Sequence, residues 1–267
     1  MSLPSSIIKA AFTYKTVDYL TYTIPRSQIA AFDIVAAAPP TETLQSYYNR
    51  ALTKPDLLSN GGFFGGADPC FNLIIDKAAK STSTLYQWGF GILENNTILY
   101  NSLSILKSNA ALKHFISGYP VFVDNYAAVP INFAQEVDYP AERTVLGFNA
   151  TDIFLIYFST CRFADVQYIL THQFPIQYGI NLDGGGSSRC LEDGSQSFGS
   201  SWSRPINNFI SIKMKPLPES KPTLPSPTTP IYILSAAFQS ENEAITLQKQ
   251  FTTLGFKNIS IQKADLI

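Results

Sequence analysis

Residues 163–190 read FADVQYILTHQFPIQYGINLDGGGSSRC, and the interpretation of the whole chain turns on them. Val166, Ile169, Leu170 and Phe174 recur at helical spacing, so 163–174 is expected to be an amphipathic helix. "YGIN" (178–181) has the length of a short strand, and upstream "DIFLIYFST" (152–160) is a continuous apolar run of strand type. Strand, helix, strand and glycine loop in succession predict a mixed α/β (α+β) body, a central sheet with flanking helices. Asp183 then stands at the C-terminal end of a strand, where α/β sheets usually bind ligands. Glycine inside an element costs roughly 0.5–1 kcal/mol relative to alanine. Three in a row therefore imply either a tight turn or a backbone that something approaches closely.

The pattern continues outward. "FTYKTVDYLTYTI" (12–24) is rich in aromatic and β-branched residues and reads as a β-hairpin. "LLSNGGFF" (57–64) is an apolar run ending in a glycine turn. "YQWGFGILENNTILY" (86–100) reads as two strands joined at Asn95-Asn96, and "YPVFVDN" (119–125) as another strand. Composition shifts at 213–230, "KMKPLPESKPTLPSPTTP", where six prolines fall within 216–230. This is the signature of an extended linker, which separates a body at 1–212 from a tail at 231–267. In the tail a strand at 231–235 precedes a Ser240/Glu243 capping box. Ala244, Leu247, Phe251 and Leu254 form one apolar face, Gly255 ends the helix, and "NISIQ" supplies a second strand. This small βαβ segment resembles the first half of a sporulation-related repeat (SPOR), a peptidoglycan-binding module, on the residues "AAFQSENEA" and "GF". A generic βαβ appendage fits the same residues.

Composition excludes several classes. Of 267 residues 45% are hydrophobic and 15% charged, enough apolar material for a substantial core. A net charge of −1 and a pI of about 6.1 give no basic field for nucleic acid. No apolar run approaches the roughly 20 residues of a membrane span. The N-terminus lacks the basic start and unbroken apolar stretch of a signal peptide, which leaves the place of action open. Cys70, Cys161 and Cys190 show no CxxC spacing, so neither a disulfide framework nor a cysteine-built zinc site is expected. His114 and His172 are too few for a histidine-rich metal site, and His172 lies on the expected helix as a structural residue. Oxygen ligands for Ca²⁺ or Mg²⁺ stay open.

The glycine stretch fits none of the common nucleotide or nucleophile motifs. "GGGSSRC" lacks the GK[ST] of a phosphate-binding loop, the third glycine of a dinucleotide fingerprint and the closing glycine of GxSxG. "SILK" (104–107) matches SxxK without the companion motifs. What remains is a carboxylate at a cavity rim beside the bare amides of Gly184 and Gly185, with hydroxyl donors on Ser187 and Ser188. Such amides can nest an anion. A plain structural turn suits the same composition.

"NLDGGGSS" (181–188) resembles the signature of the phosphodiester glycosidase family. Further stretches resemble that family in the same order: "LLSNGGFF", "ISGYPVFVDN" (116–125), "ERTVLGF" (142–148) and "RPINNFISI" (204–212), together spanning roughly residues 15–213. The resemblance implies hydrolysis of a sugar-1-phosphodiester at the glycosidic C1–O bond, releasing sugar and a phosphomonoester. On that chemistry Asp183 is the nucleophile or general base, because such enzymes stabilise an oxocarbenium-like state with carboxylates; capping the turn is its plainer role. Arg143 suits the phosphate through its planar fork, or else forms a structural ion pair. Asn60, with Gly61, orients a sugar hydroxyl or the phosphate, or simply forms the turn. Glu142 is a second carboxylate, though neighbours on a strand face opposite ways. Asp33, Asp68 and Asp193 stay unranked beside it, and Arg204 and Asn208 line the same cavity. Phosphate is itself a good leaving group, which reduces the need for a strong acid.

Arg189-Cys190 departs from the small or apolar residues the family often carries there, and the extra cation favours a more anionic substrate. With the SPOR-like tail this directs the reading to a cell-wall or teichoic-acid-type phosphodiester, with peptidoglycan as a partner. Two other readings stay open: a non-catalytic wall- or glycan-binding protein on the same scaffold, and a Ca²⁺ or Mg²⁺ site on Asp183 and neighbouring acids. Convergence of Asp183 and Arg143 on one point separates the enzyme from the binder.

Overall fold

The computed structural model describes residues 4, 6–66, 68–131, 138–199 and 204–216. The expected βαβ tail and the linker beyond residue 216 lie outside the described residues. The expected N-terminal hairpin is β1 (Ile8–Tyr14) and β2 (Val17–Pro25), followed by β3 (Ile29–Ala36) and the short helix α1 (Leu44–Arg50). β4 (Leu57–Asn60) ends at the Gly61-Gly62 turn, and four short strands follow: β5 (Phe64–Gly65), β6 (Asp68–Pro69), β7 (Leu73–Ile75) and β8 (Ala78–Ser81). β9 (Trp88–Leu93) and β10 (Ile98–Ser102) form the hairpin expected at Asn95-Asn96, with Asn96 at φ +63°. Next come α2 (Leu103–Leu106), β11 (Leu112–Ser117), β12 (Val121–Asp124) and β13 (Ala127–Ala128). The last part holds β14 (Ala141–Phe148), β15 (Asp152–Cys161), α3 (Phe163–Gln173), β16 (Tyr178–Asn181), β17 (Cys190–Glu192), β18 (Ser195–Phe198) and β19 (Asn208–Met214). β19 thus extends two residues past 212, the limit read from composition.

These strands form a seven-stranded sheet in the order β1-β2-β15-β14-β16-β12-β13 and two five-stranded sheets, β10-β9-β11-β7-β8 and β18-β17-β4-β19-β3. β5 and β6 form a small hairpin apart. The expectation of a sheet flanked by helices is corrected: the body is mostly β, and its paired strands run antiparallel. β15 shows why the sequence misled. Ile153, Leu155 and Tyr157 point into the core shared with the other two sheets, while Phe154, Ile156 and Phe158 pack with α3 on the opposite face. Burial on both faces makes a strand apolar at every position, a pattern otherwise typical of parallel sheets between helices. Here one cover is a helix and the other is more sheet.

α3 fits its periodicity. Phe163, Val166, Ile169 and Leu170 are its buried residues, each worth roughly 1.5–3 kcal/mol relative to exposure. Asp138 Oδ1 accepts from the Phe163 N–H at its start (2.8 Å), and Pro175 follows its last turn, where the preceding residue is driven to extended backbone. Gln167 Nε2 ties the helix to the carbonyls of Phe122 and Val129. The glycine stretch has a definite place in this architecture. It carries the chain out of β16 in the seven-stranded sheet and into β17, which pairs with β4 in a different sheet.

Candidate functional site

Asn60, the last residue of β4, holds that crossing together. It is fully buried. Its Oδ1 accepts from the Thr144 hydroxyl (3.0 Å) and the Arg189 N–H (3.0 Å), and its Nδ2 donates to the Asp183 carbonyl (2.8 Å). One amide therefore joins β14, the start of the glycine loop and its end. The Asp183 N–H donates to the Gly61 carbonyl (3.2 Å), and the Leu182 N–H to the Thr144 carbonyl (2.8 Å). Ser188 is buried against Thr144, hydroxyl to hydroxyl at 3.0 Å.

Asn208 at the start of β19 clamps the other side. Its Oδ1 accepts from the Gly62 N–H (2.7 Å), and its backbone carbonyl accepts from the Gly61 N–H (3.0 Å). A Cβ on Gly61 would sit 2.0 Å from Asn208 Oδ1 and 2.9 Å from the Asn208 carbonyl oxygen, so any other residue would displace the Asn208 clamp. Gly184 is similarly confined: its Cβ would lie 2.7 Å from the Glu142 carbonyl oxygen. Gly185 has φ +57° with open space around it, so backbone conformation alone selects glycine there. Asn60, Asn208 and Ser188 thus spend their polar groups on the scaffold.

The amide nest is also mostly consumed. The N–H of Gly184 donates to the Asp183 carboxylate, those of Ser187 and Ser188 to loop carbonyls, and that of Arg189 to Asn60. Among the described residues this leaves the amides of Gly185 and Gly186 for a ligand.

Asp183 is the chemically distinctive group. Burial pushes its carboxyl from 3.8 up to about 6, against the opposing pull of the Ser187 hydroxyl, the Arg204 cation and the Gly184 N–H. Ser187 Oγ is buried without a well-formed hydrogen bond, yet lies beside this carboxylate and favours its ionised form. Arg204 places its guanidinium over the Phe64 ring at 5.0 Å. Cys70 is exposed, and its thiol is raised first by partial burial and then by the charges of Asp183 and Asp68. The charge of Asp183 therefore reaches Cys70, which flanks the β5–β6 hairpin.

Glu142 has a second perturbed carboxyl, raised by burial and lowered by Arg189. Its backbone supports Gly184, which puts it next to the loop. Arg189 is buried, its charge disfavoured by burial and supported by Glu142. Arg143 lies differently from its expected role. Its stem passes Gly184, but its guanidinium stacks on Phe163 at 3.9 Å and donates to the Tyr139 carbonyl. Burial lowers its pKa, and the groups it acts on are Cys161, Tyr139 and Asp138. The Arg143 guanidinium therefore does not converge with Asp183, an arrangement that the binding-protein reading allows, and the cation whose charge lowers the Asp183 pKa is Arg204. Among the described residues no three His, Cys, Asp or Glu side chains gather to hold a metal.

The phosphodiester glycosidase family model matches residues 56–213. The chain belongs to this family. Among solved structures, the phosphodiester glycosidase body is similar to the catalytic domain of zebrafish N-acetylglucosamine-1-phosphodiester alpha-N-acetylglucosaminidase, auto-inhibited by its pro-peptide, at 20% identity and TM-score 0.62, covering 79% of this chain and 86% of that one. A hypothetical protein from Synechocystis follows at 12% identity and TM-score 0.62, covering 77% and 61%. A putative exported protein from Burkholderia pseudomallei matches at 10% identity and TM-score 0.54, covering 74% of each. At such identities these likenesses establish the fold alone. No curated protein matches the chain.

Several residues at the site carried no signal in the sequence. Thr144 is an ordinary hydroxyl until the fold sets it on Asn60 and on Ser188. Phe63, Phe71, Tyr86 and Tyr119 come from separate segments and meet only in three dimensions.

Proposed function

We propose that the chain hydrolyses the glycosidic C1–O bond of a sugar-1-phosphodiester, with Asp183 acting at C1. The observation that carries this reading is Asp183 itself, a carboxyl at the seam between two sheets that burial pushes up to about 6 while the charge of Arg204 pulls it down. Turn capping needs only its bond to the Gly184 N–H, and neither the burial nor the nearby charge serves that task. Above pH 6 the ionised carboxylate stabilises positive charge developing on the sugar ring and either attacks C1 or activates water. The C1–O bond breaks, its electron pair leaves on the phosphomonoester, and water supplies hydroxyl to C1 and the proton to the departing phosphate.

Arg204 takes the phosphate in this reading, as a guanidinium fork beside the acting carboxylate. Arg143 supports the loop from behind. Glu142, half-buried and balanced by Arg189, is the second carboxylate. The phosphate leaves readily, so Glu142 needs little acid strength. The zebrafish relative's name indicates an N-acetylglucosamine diester, and the SPOR-like pattern of 231–267 indicates a wall polymer; both belong in the substrate panel.

The test is release of sugar and phosphomonoester, in equal amounts, from N-acetylglucosamine-1-phosphodiesters, other sugar-1-phosphodiesters and teichoic-acid-type polymers. Wild type is compared with Asp183→Asn, which is expected to lose at least about a hundredfold in rate. Equal turnover by the two proteins refutes the role of Asp183. No turnover by either, with glycans or walls still bound, makes this a binding protein on a hydrolase scaffold.

A further inference from the structure

Four rings from separate segments line up beside the glycine loop. Phe63 lies 4.4 Å from Phe71, Phe71 stacks on Tyr86 at 3.9 Å, and Tyr86 meets Tyr119 at 5.1 Å, centroid to centroid. Both ends of the row are tied to the chain around Asp183. Phe63 follows the Gly61-Gly62 turn, where the Gly61 carbonyl accepts from the Asp183 N–H, and its own carbonyl accepts from the N–H of Cys70, a residue that feels the Asp183 charge. At the far end the Tyr119 N–H donates to the Asn181 carbonyl (3.0 Å), and Asn181 Nδ2 returns a bond to the Tyr119 carbonyl (2.9 Å).

Tyr86 is the ring of this row that reaches furthest into solvent, at 36% exposure, and it is held there at a cost. Its φ is +53°, a conformation that bulky side chains avoid and that persists only when the surroundings enforce it. Asn72, itself buried, does the enforcing. Its Nδ2 donates to the carbonyls of Leu85 (3.2 Å) and Tyr86 (2.9 Å), and its Oδ1 accepts from the Ser83 N–H (2.6 Å). A buried amide thus spends its side chain on keeping one half-exposed tyrosine in a strained pose within the row.

We infer that this row is the sugar-binding wall of the site, with Tyr86 the ring that packs against the apolar face of a pyranose. The chemistry is complementary: Arg204 and Asp183 meet the charged phosphate and the anomeric carbon, while the rings meet the C–H face of the sugar and exclude water from it. Aromatic residues supply this apolar surface with little loss of side-chain freedom. The inference deepens the hydrolase reading and rests on it for the identity of the sugar's partner groups.

The test uses the full chain and methyl N-acetyl-α-glucosaminide as a probe, with binding followed by saturation-transfer NMR and titration. Wild type is expected to transfer saturation to the ring protons of the probe. Tyr86→Ala should weaken the probe about three- to tenfold, the range for one lost ring contact, and Tyr86→Phe should restore it. Leu85→Ala changes an exposed neighbour outside the row and should bind as wild type does. No transfer to wild type, equal affinity in Tyr86→Ala, or equal loss in Leu85→Ala each overturns the wall. KM values on a phosphodiester separate the two readings. Turnover with KM unaltered in Tyr86→Ala removes the wall and leaves the hydrolase. Pyranoside binding lost in Tyr86→Ala, with no phosphodiester hydrolysed by any variant, removes the hydrolase and leaves the wall.

Discussion

Asp183→Asn should make the protein more stable as it makes it inactive. The carboxyl binds its proton with a pKa of about 6 in the folded chain against an ordinary value of 3.8. Since the folded value is the higher one, the stability linked to this group is fully present below about pH 3.8 and is lost as pH rises through 6. A shift of roughly two units, at 1.36 kcal/mol each, leaves the ionised wild type about 3 kcal/mol short at pH 7. The shortfall is roughly halved at pH 5 and near zero at pH 3. Asparagine carries no charge to desolvate, and its Oδ1 still accepts from the Gly184 N–H that bonds Asp183 now. The variant should therefore exceed wild type by about 3 kcal/mol at neutral pH, or roughly 6–12 °C in Tm for a body of this size. Urea unfolding of both proteins at pH 7, 5 and 3 measures this directly. A variant that is equal or weaker at pH 7, or a gap that stays constant with pH, would refute the claim that Asp183 is held in an unfavourable environment for function.

Other consequences follow from the same geometry. Arg204→Ala removes the cation that restrains the Asp183 pKa, so the acidic limb of the kcat/KM profile should move to higher pH and KM for a phosphodiester should rise; an unmoved limb would detach Arg204 from the site. Asn60→Ala removes the bonds that Asn60 makes to the Thr144 hydroxyl, the Arg189 N–H and the Asp183 carbonyl, of which the Thr144 hydroxyl keeps Ser188 as a partner, and denaturant unfolding should show a loss of roughly 2–4 kcal/mol. Gly61→Ala and Gly185→Ala separate two uses of glycine. The first drives a methyl to 2.0 Å from Asn208 Oδ1 and should abolish soluble folded protein, whereas the second meets open space at φ +57° and should cost only about 1–2 kcal/mol in thermal unfolding.

Local patterns carried far in this chain. The helix at 163–174, the hairpins at both 12–24 and 86–100, and the position of Asp183 just past a short strand all follow from spacing and turn chemistry between near neighbours. The family motifs were legible too, because each is a short contiguous run. What covers β15 was not legible, since a strand buried by a helix on one side and by sheets on the other is apolar throughout, whatever the cover.

The division at the site has the same origin. The sequence marked Asp183 and its glycines through local chemistry, and the candidate cations Arg143 and Arg204 through the family resemblance of their stretches. Only the tertiary structure decided where the candidate cations act: the Arg143 guanidinium turns back onto Phe163, while the charge of Arg204, on the approach to β19, lowers the Asp183 pKa. Tertiary structure alone also gathers Phe63, Phe71, Tyr86 and Tyr119 into one row. Side-chain direction and burial depend on which sheets pack together, and that is settled by contacts between segments more than a hundred residues apart, about which neighbouring residues hold no information.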